Sequence, residues 1–178
     1  MRDTKPLMDS FTDTVLSISL FAMKKSEPWA TIISYWKRQG LPIRDGVTLE
    51  SILAFKEKYQ VALPVDFAEY LKAVDGTGIN ETDENFFSFL SLSEIRAVHE
   101  VLNDSEGVVY PDRFAYPNYF VFADYMMSCW FYAVQITPES ATLGPVYRVT
   151  ASDVPGKMEA ASFREFMTRY AKVPKSIL

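Results

Sequence analysis

The chain has 178 residues, of which 48% are apolar and 15% aromatic, and a net charge of −5. That is the size of one domain with ample material for a core, and it excludes disorder, which requires low hydrophobicity with high net charge. One cysteine, Cys129, and one histidine, His99, exclude an intramolecular disulfide and a Cys/His zinc centre, and fit a reducing, cytoplasmic compartment.

The run Val15–Met23 is apolar, but Asp9 and Asp13 precede it where a signal peptide has a basic region, and Lys24 and Lys25 follow it. Too short to span a bilayer, it is read as a helix with Phe11, Val15, Ile18 and Ala22 on one face. A second helix is predicted in "EPWATIISYWKRQG", opening at Pro28, placing Trp29, Ile32, Ile33 and Trp36 toward a core, and stopping at Gly40. "TLESILAFKEKY" takes Thr48 as N-cap, turns Leu49, Ile52, Leu53 and Tyr59 inward, and leaves Lys56, Glu57 and Lys58 in water. "LPVDFAEYLKAVDGTG" is a further helix, with Pro64 at its first position and Asp66 and Glu69 near the positive end of its dipole. Its apolar face is Phe67, Tyr70, Leu71 and Val74, and Gly76 and Gly78 supply the left-handed exit.

After the polar loop "NETDEN", "FFSFL" reads as a first strand. "SLSEIRAVHEVL" reads as a helix opened by a capping box, Ser91 to Glu94, with Leu92, Ile95, Val98 and Leu102 inward. The period then changes. Residues 119–123, 129–136 and 145–149 are β-branched and aromatic, and the short turns Asp124–Ser128 and Pro138–Gly144 make them antiparallel neighbours. A second capping box, Ser162 to Glu165, opens a last helix with Phe163, Phe166, Met167 and Tyr170 inward. The order predicts an α+β fold: a mainly antiparallel central sheet of about four to six strands with helices packed on it, N-terminal helices and a C-terminal helix. No linker divides the chain, so residues 1–178 are read as one domain, with 1–26 as an N-terminal helical extension and 27–171 as its core.

Chemistry-bearing motifs are scarce. There is no P-loop, no nucleophile elbow, no dinucleotide fingerprint and no H-E-x-x-H. Cys129, inside an apolar strand run, reads as a small hydrophobe, and a nucleophilic Cys129–His99 pair is disfavoured by the high pKa that burial gives a thiol. Glu81, Asp83 and Glu84 lie close together but lack the register of a calcium loop. No cofactor or metal is expected.

Charge is uneven. Between Asp75 and Asp112 there are nine acids and one base, Arg96, so this window carries −8 and the remainder +3. The sign opposes phosphate binding and suits a basic protein partner. Glu81, Asp83, Glu84, Asp104 and Glu106 are the candidate contact acids, and Tyr125, Trp130 and Tyr132 the candidate aromatic anchors.

The segment "LESILAFKEKYQVALPVDFAEYLKAVDGTG" resembles the signature of the SUKH superfamily, the SMI/KNR-type group of a cell-wall-synthesis regulator and bacterial toxin-immunity proteins. "FLSLSEIRAV" is similar to its strand-to-helix segment, "YFVFADYMMSCWFYAVQI" to its central strand pair, and "GPVYRV" and "SFREFMTRYA" to its closing strand and helix. "EPWATIISYWKRQGLPI" looks like the N-terminal helix of one bacterial branch, so the resemblance covers residues 27–171. It departs at "DYMMSC", where many members carry a Gly-containing turn. The resemblance implies an α+β fold and a non-enzymatic role, typically an immunity protein that neutralises a toxin domain, often a nuclease, by direct binding. With the charge pattern and the short apolar run, the expected partner is a basic toxin domain in the cytoplasm, without direct nucleic-acid or membrane contact. The alternative is a small-ligand-binding or regulatory scaffold of the same fold, with Asp124, Tyr125 and Arg148 as convergent polar groups. A hydrolytic enzyme is a more remote reading.

Overall fold

The computed structural model describes residues 28–78, 80–103, 118–139, 142–150 and 156–178. The N-terminal apolar run, Asp104 and Glu106 lie outside the described residues. The fold is α+β.

Six strands form one antiparallel sheet: β1 (Phe87–Phe89), β2 (Arg96–Ala97), β3 (Tyr119–Tyr125), β4 (Trp130–Gln135), β5 (Val146–Val149) and β6 (Lys157–Ala160). Their order is β1-β3-β4-β5-β6, and β2 shares the outer edge of β3 with β1. Strand β1 pairs Phe87 with Tyr125, while β2 pairs Ala97 with Phe120 at the other end of β3. The three strands expected from the apolar runs are β3, β4 and β5, joined as antiparallel neighbours.

The helices are α1 (28–38), α2 (Leu49–Tyr59), α3 (Val65–Ala73), α4 (Val98–Asn103) and α5 (Phe163–Lys172), followed by a 3-10 turn, Pro174–Ile177. The sheet meets them through aromatic rings. Phe120 packs on Phe55 and Tyr59 of α2, at 5.4 and 4.9 Å between centroids. A bulge between Val121 and Ala123 interrupts pairing at Phe122, whose ring meets Phe163 at 4.9 Å and Phe166 at 5.4 Å. Trp29, Ile32 and Trp36 of α1 are buried, as are Phe163, Phe166, Met167 and Tyr170 of α5. Each such side chain contributes about 1.5–3 kcal/mol by leaving water.

The helix ends follow local chemistry. Thr48 Oγ1 accepts the Ser51 N–H at 3.2 Å and starts α2. Ser162 Oγ accepts the Glu165 N–H at 3.1 Å and starts α5, while Glu165 reaches back to the Ala161 N–H. Helix α3 buries Phe67, Tyr70 and Leu71 as its spacing requires, and Val74 beyond it bridges to Asp45. Pro64 caps α3 rather than forming its first residue.

Asp66 does more than favour a helix dipole. Its carboxylate is buried and accepts backbone N–H groups from Phe67, Gly144 and Arg164 at 2.9, 3.1 and 3.1 Å. One side chain thus joins the starts of α3 and α5 to the approach to β5. Burial pushes its carboxyl above the usual carboxylate range, although the amide donors oppose this. Glu69, one turn on, pairs with Arg164, whose guanidinium lies over Trp29.

Four expectations are corrected. Ser91–Glu94 is a turn, with Glu94 Oε2 accepting both the Ser91 N–H and its hydroxyl; the helix begins at Val98, because Arg96 and Ala97 pair with β3. Leu49 and Leu53 of α2 are exposed, and Phe55 takes the core position with Ile52. Strand β6 was not expected, since Lys157–Ala160 lacks β-branched residues. Cys129 is exposed in a turn, because pairing in β4 begins only at Trp130.

Candidate functional site

The end of the sheet where β1 begins and β3 meets β4 carries most of the residues expected to contact a partner. Two segments build it. The first is the loop 80–86, held from beneath by Asp83. That side chain is 4% exposed; its Oδ1 accepts the N–H groups of Asn85 and Phe87 at 2.8 and 2.9 Å, and its Oδ2 accepts the Tyr170 hydroxyl at 2.7 Å. Trp36 Nε1 donates to the same hydroxyl at 2.8 Å, so α1, α5 and the loop converge on one buried network. Gln39 accepts the Glu84 N–H, and Asn85 donates to Tyr35.

The second segment is the β3–β4 turn, Met126 to Cys129. Met126, Met127 and Ser128 have φ of 52°, 52° and 68°, a left-handed run that glycine adopts freely and other residues resist by about 1–2 kcal/mol each. Asp124 holds it: its Oδ1 accepts the Ser128 N–H at 2.7 Å and its Oδ2 the Ser128 hydroxyl at 3.1 Å. Cys129 N–H returns to the Tyr125 carbonyl at 3.1 Å. The segments are tied together where Met126 N–H donates to the Phe86 carbonyl at 2.9 Å, and Phe86 is itself left-handed, with φ of 67°.

This rim presents Glu81 and Glu84 to solvent, together with Phe86, Met126 and Met127, which are 54%, 46% and 88% exposed. Its field is negative: burial, and then the charges of Asp83 and Glu84, push the Tyr35 phenol up to about 12. Arg38, 5.9 Å from the Tyr35 ring, is a base at its margin.

The expected contact residues therefore divide. Glu81 and Glu84 are at the surface, whereas Asp83 is a buried support, turned inward because only its carboxylate satisfies the Phe87 and Tyr170 donors. Tyr125 is buried and stacks on Trp130 at 4.2 Å, and Trp130, half-buried, also faces Arg148 at 5.4 Å. Tyr132 is core: its hydroxyl donates to the Ile177 carbonyl and burial pushes its phenol up to about 12. Phe86, Met126 and Met127 were not singled out in the sequence; the signal available was two adjacent methionines in a predicted hairpin turn.

No catalytic constellation assembles among the described residues. Cys129 and His99 are both exposed and adjoin opposite ends of β3, where Phe120 and Tyr125 stand roughly 17 Å apart for five residues of strand. Asp124 is in register with Phe131, Tyr125 with Trp130 and Arg148 with Tyr132, so Asp124 lies on the opposite face of the sheet from Tyr125 and Arg148 and the three groups do not converge. Arg148 instead pairs with the buried Glu159 at 3.3 Å. A groove of about 410 Å³ beside α2 contains Lys58 and Asp75, but Asp75 accepts the Leu92 N–H at 2.6 Å. Among the described residues no cluster of three or more His, Cys, Asp or Glu could hold a metal, and no helix is long and apolar enough to cross a membrane.

An antiparallel sheet sided by α2, α3 and α5 is the α+β fold that the sequence resemblance implies, and the structure adds that the LP-x-D helix start is locked to the last helix. The profile of the SMI1 / KNR4 family (SUKH-1) matches residues 46–169, and the chain belongs to that family. No curated protein matches the sequence.

Proposed function

We propose that the protein is a non-enzymatic binding module of the immunity type, which neutralises a basic toxin domain in the cytoplasm by direct contact. The observation that carries this reading is family membership combined with an acidic window of −8 whose described loop, 80–86, stands at the sheet end with Glu81 and Glu84 exposed. Complementary charge accelerates encounter and selects among partners. The test is co-expression with a basic toxin domain sought in the gene's neighbourhood, followed by calorimetry of the purified pair. Restored growth and a one-to-one complex support the reading; continued killing with no heat of binding overturns it.

A further inference from the structure

Resting on the protein-binding reading, we infer that Met126, Met127 and Phe86 are the apolar anchor of the interface, and that the partner is a basic protein presenting an apolar pocket ringed by Lys or Arg. Three observations carry this.

The first is exposure: two thioether side chains and one ring stand in solvent at adjacent positions tied by the Met126–Phe86 backbone bond. Isolated exposed apolar residues are ordinary, whereas three grouped on a polar rim have the arrangement of an interaction site. The second is conformation. Of the six non-glycine residues with positive φ among the described residues, four are Phe86, Met126, Met127 and Ser128. Gln60, by contrast, ends a helix, where such a conformation is routine. The turn closes only four residues between Tyr125 and Trp130, and glycines or asparagines would close it with less strain; Met127, 88% exposed, adds almost no burial to this fold. Strain that the fold does not need accumulates where a side chain must be held in place for another purpose. Asp124 and the Asp83 network make that placement rigid before any partner arrives, which lowers the ordering cost of binding.

The third observation selects the occupant. Glu81 and Glu84 are exposed on the same loop as Phe86, so the apolar knob is bordered by negative charge. An anionic membrane or a nucleic acid would be repelled, and a second copy of this acidic rim would face like charge. A basic protein surface with a central apolar pocket satisfies both features: methionine is the adaptable filler of such pockets, and the carboxylates steer encounter and stay at the rim.

The test places a photoreactive benzoylphenylalanine at position 127 of the full chain in its native host, with the same probe at exposed Leu53 for comparison. The captured protein is then purified and titrated against wild type, the double variant Met126→Gly/Met127→Gly, and Glu81→Lys/Glu84→Lys. Glycine keeps the left-handed turn while deleting the knob, so folding and contact are read separately. The expected result is a cross-link from position 127 to a basic protein, a loss of affinity of tenfold or more for the glycine variant through faster dissociation, and a slower association with weaker salt dependence for the lysine variant. Capture from position 53 alone, or unchanged affinity of the glycine variant, overturns the anchor and leaves the binding function standing. A cross-link only to a second copy or to lipid overturns the stated partner. Failure of both positions, with no binding to a toxin domain from the gene's neighbourhood, sinks the protein-binding reading itself.

Discussion

Replacing Asp83 with alanine tests the claim that this acid belongs to the core and not to the contact surface. The substitution strips acceptors from the Phe87 N–H and the Tyr170 hydroxyl, both fully buried, and from the half-buried Asn85 N–H, which water can partly compensate. Each stranded buried donor costs about 1–3 kcal/mol, so the two together cost about 4 kcal/mol. For a chain of this size that lowers Tm by roughly 8–16 °C. Urea unfolding followed by the fluorescence of buried Trp29 and Trp36 reads the change. The exposed neighbours Glu81→Ala and Glu84→Ala should stay within about 0.5 kcal/mol of wild type. Tyr170→Phe, combined with Asp83→Ala, should cost clearly less than the sum of the two single changes, because both delete the same bond. If Asp83→Ala unfolds within about 1 kcal/mol of wild type, the network does not hold the loop and the reasoning fails.

Gly76→Ala should cost about 2–4 kcal/mol, since a Cβ there would lie 2.5 Å from the Phe89 carbonyl oxygen and 2.6 Å from that of Leu90, at φ of +68°. Gly40→Ala, with φ of +73° and nothing within 4 Å, should lose only the conformational part, about 1 kcal/mol; equal losses would refute the steric argument. The Asp66 carboxyl is raised above 3.8 by burial, so the folded state holds its proton longer than the unfolded chain does, and ionisation removes stability as pH rises from 3.8 through the folded pKa. The stability of wild type minus that of Asp66→Asn should therefore shrink across that interval in chemical-denaturation curves; a difference growing with pH would contradict it. Leu49→Lys and Leu53→Lys, on the exposed side of α2, should leave the unfolding free energy from urea titration unchanged to within about 0.5 kcal/mol.

Local signals carried most of the fold. The α5 capping box, the proline and glycines around α3, and the aromatic runs of β3 to β5 are chemistry that a few adjacent residues settle among themselves. The errors arose where distant partners decide. Arg96 and Ala97 would continue a helix, but the free edge of β3 captures them. Lys157–Ala160 has little strand propensity and pairs because β5 offers an edge. Leu49 and Leu53 lost the core to Phe55, whose ring reaches Phe120 sixty-odd positions along the chain. At the rim, charge pattern located the loop, but whether Asp83 points in or out depends on Tyr170 and Phe87, and no spacing rule encodes that. The left-handed methionines were equally illegible, because sequence reading assigns such geometry to glycine or asparagine.

Asp66 also bears on how the chain reaches this structure. Its bonds to Gly144 and Arg164 close loops of 78 and 98 residues, while β3 and β4 join through the four-residue turn Met126–Cys129. Closing the long loops first costs about 3 kcal/mol more in chain entropy than closing the four-residue turn. Loop-closure entropy therefore predicts that the hairpins form early and that α3 docks against α5 late. Substitutions at Asp66 should then quicken unfolding while hardly slowing refolding, so that the carboxylate acts as a latch on the lifetime of the native state.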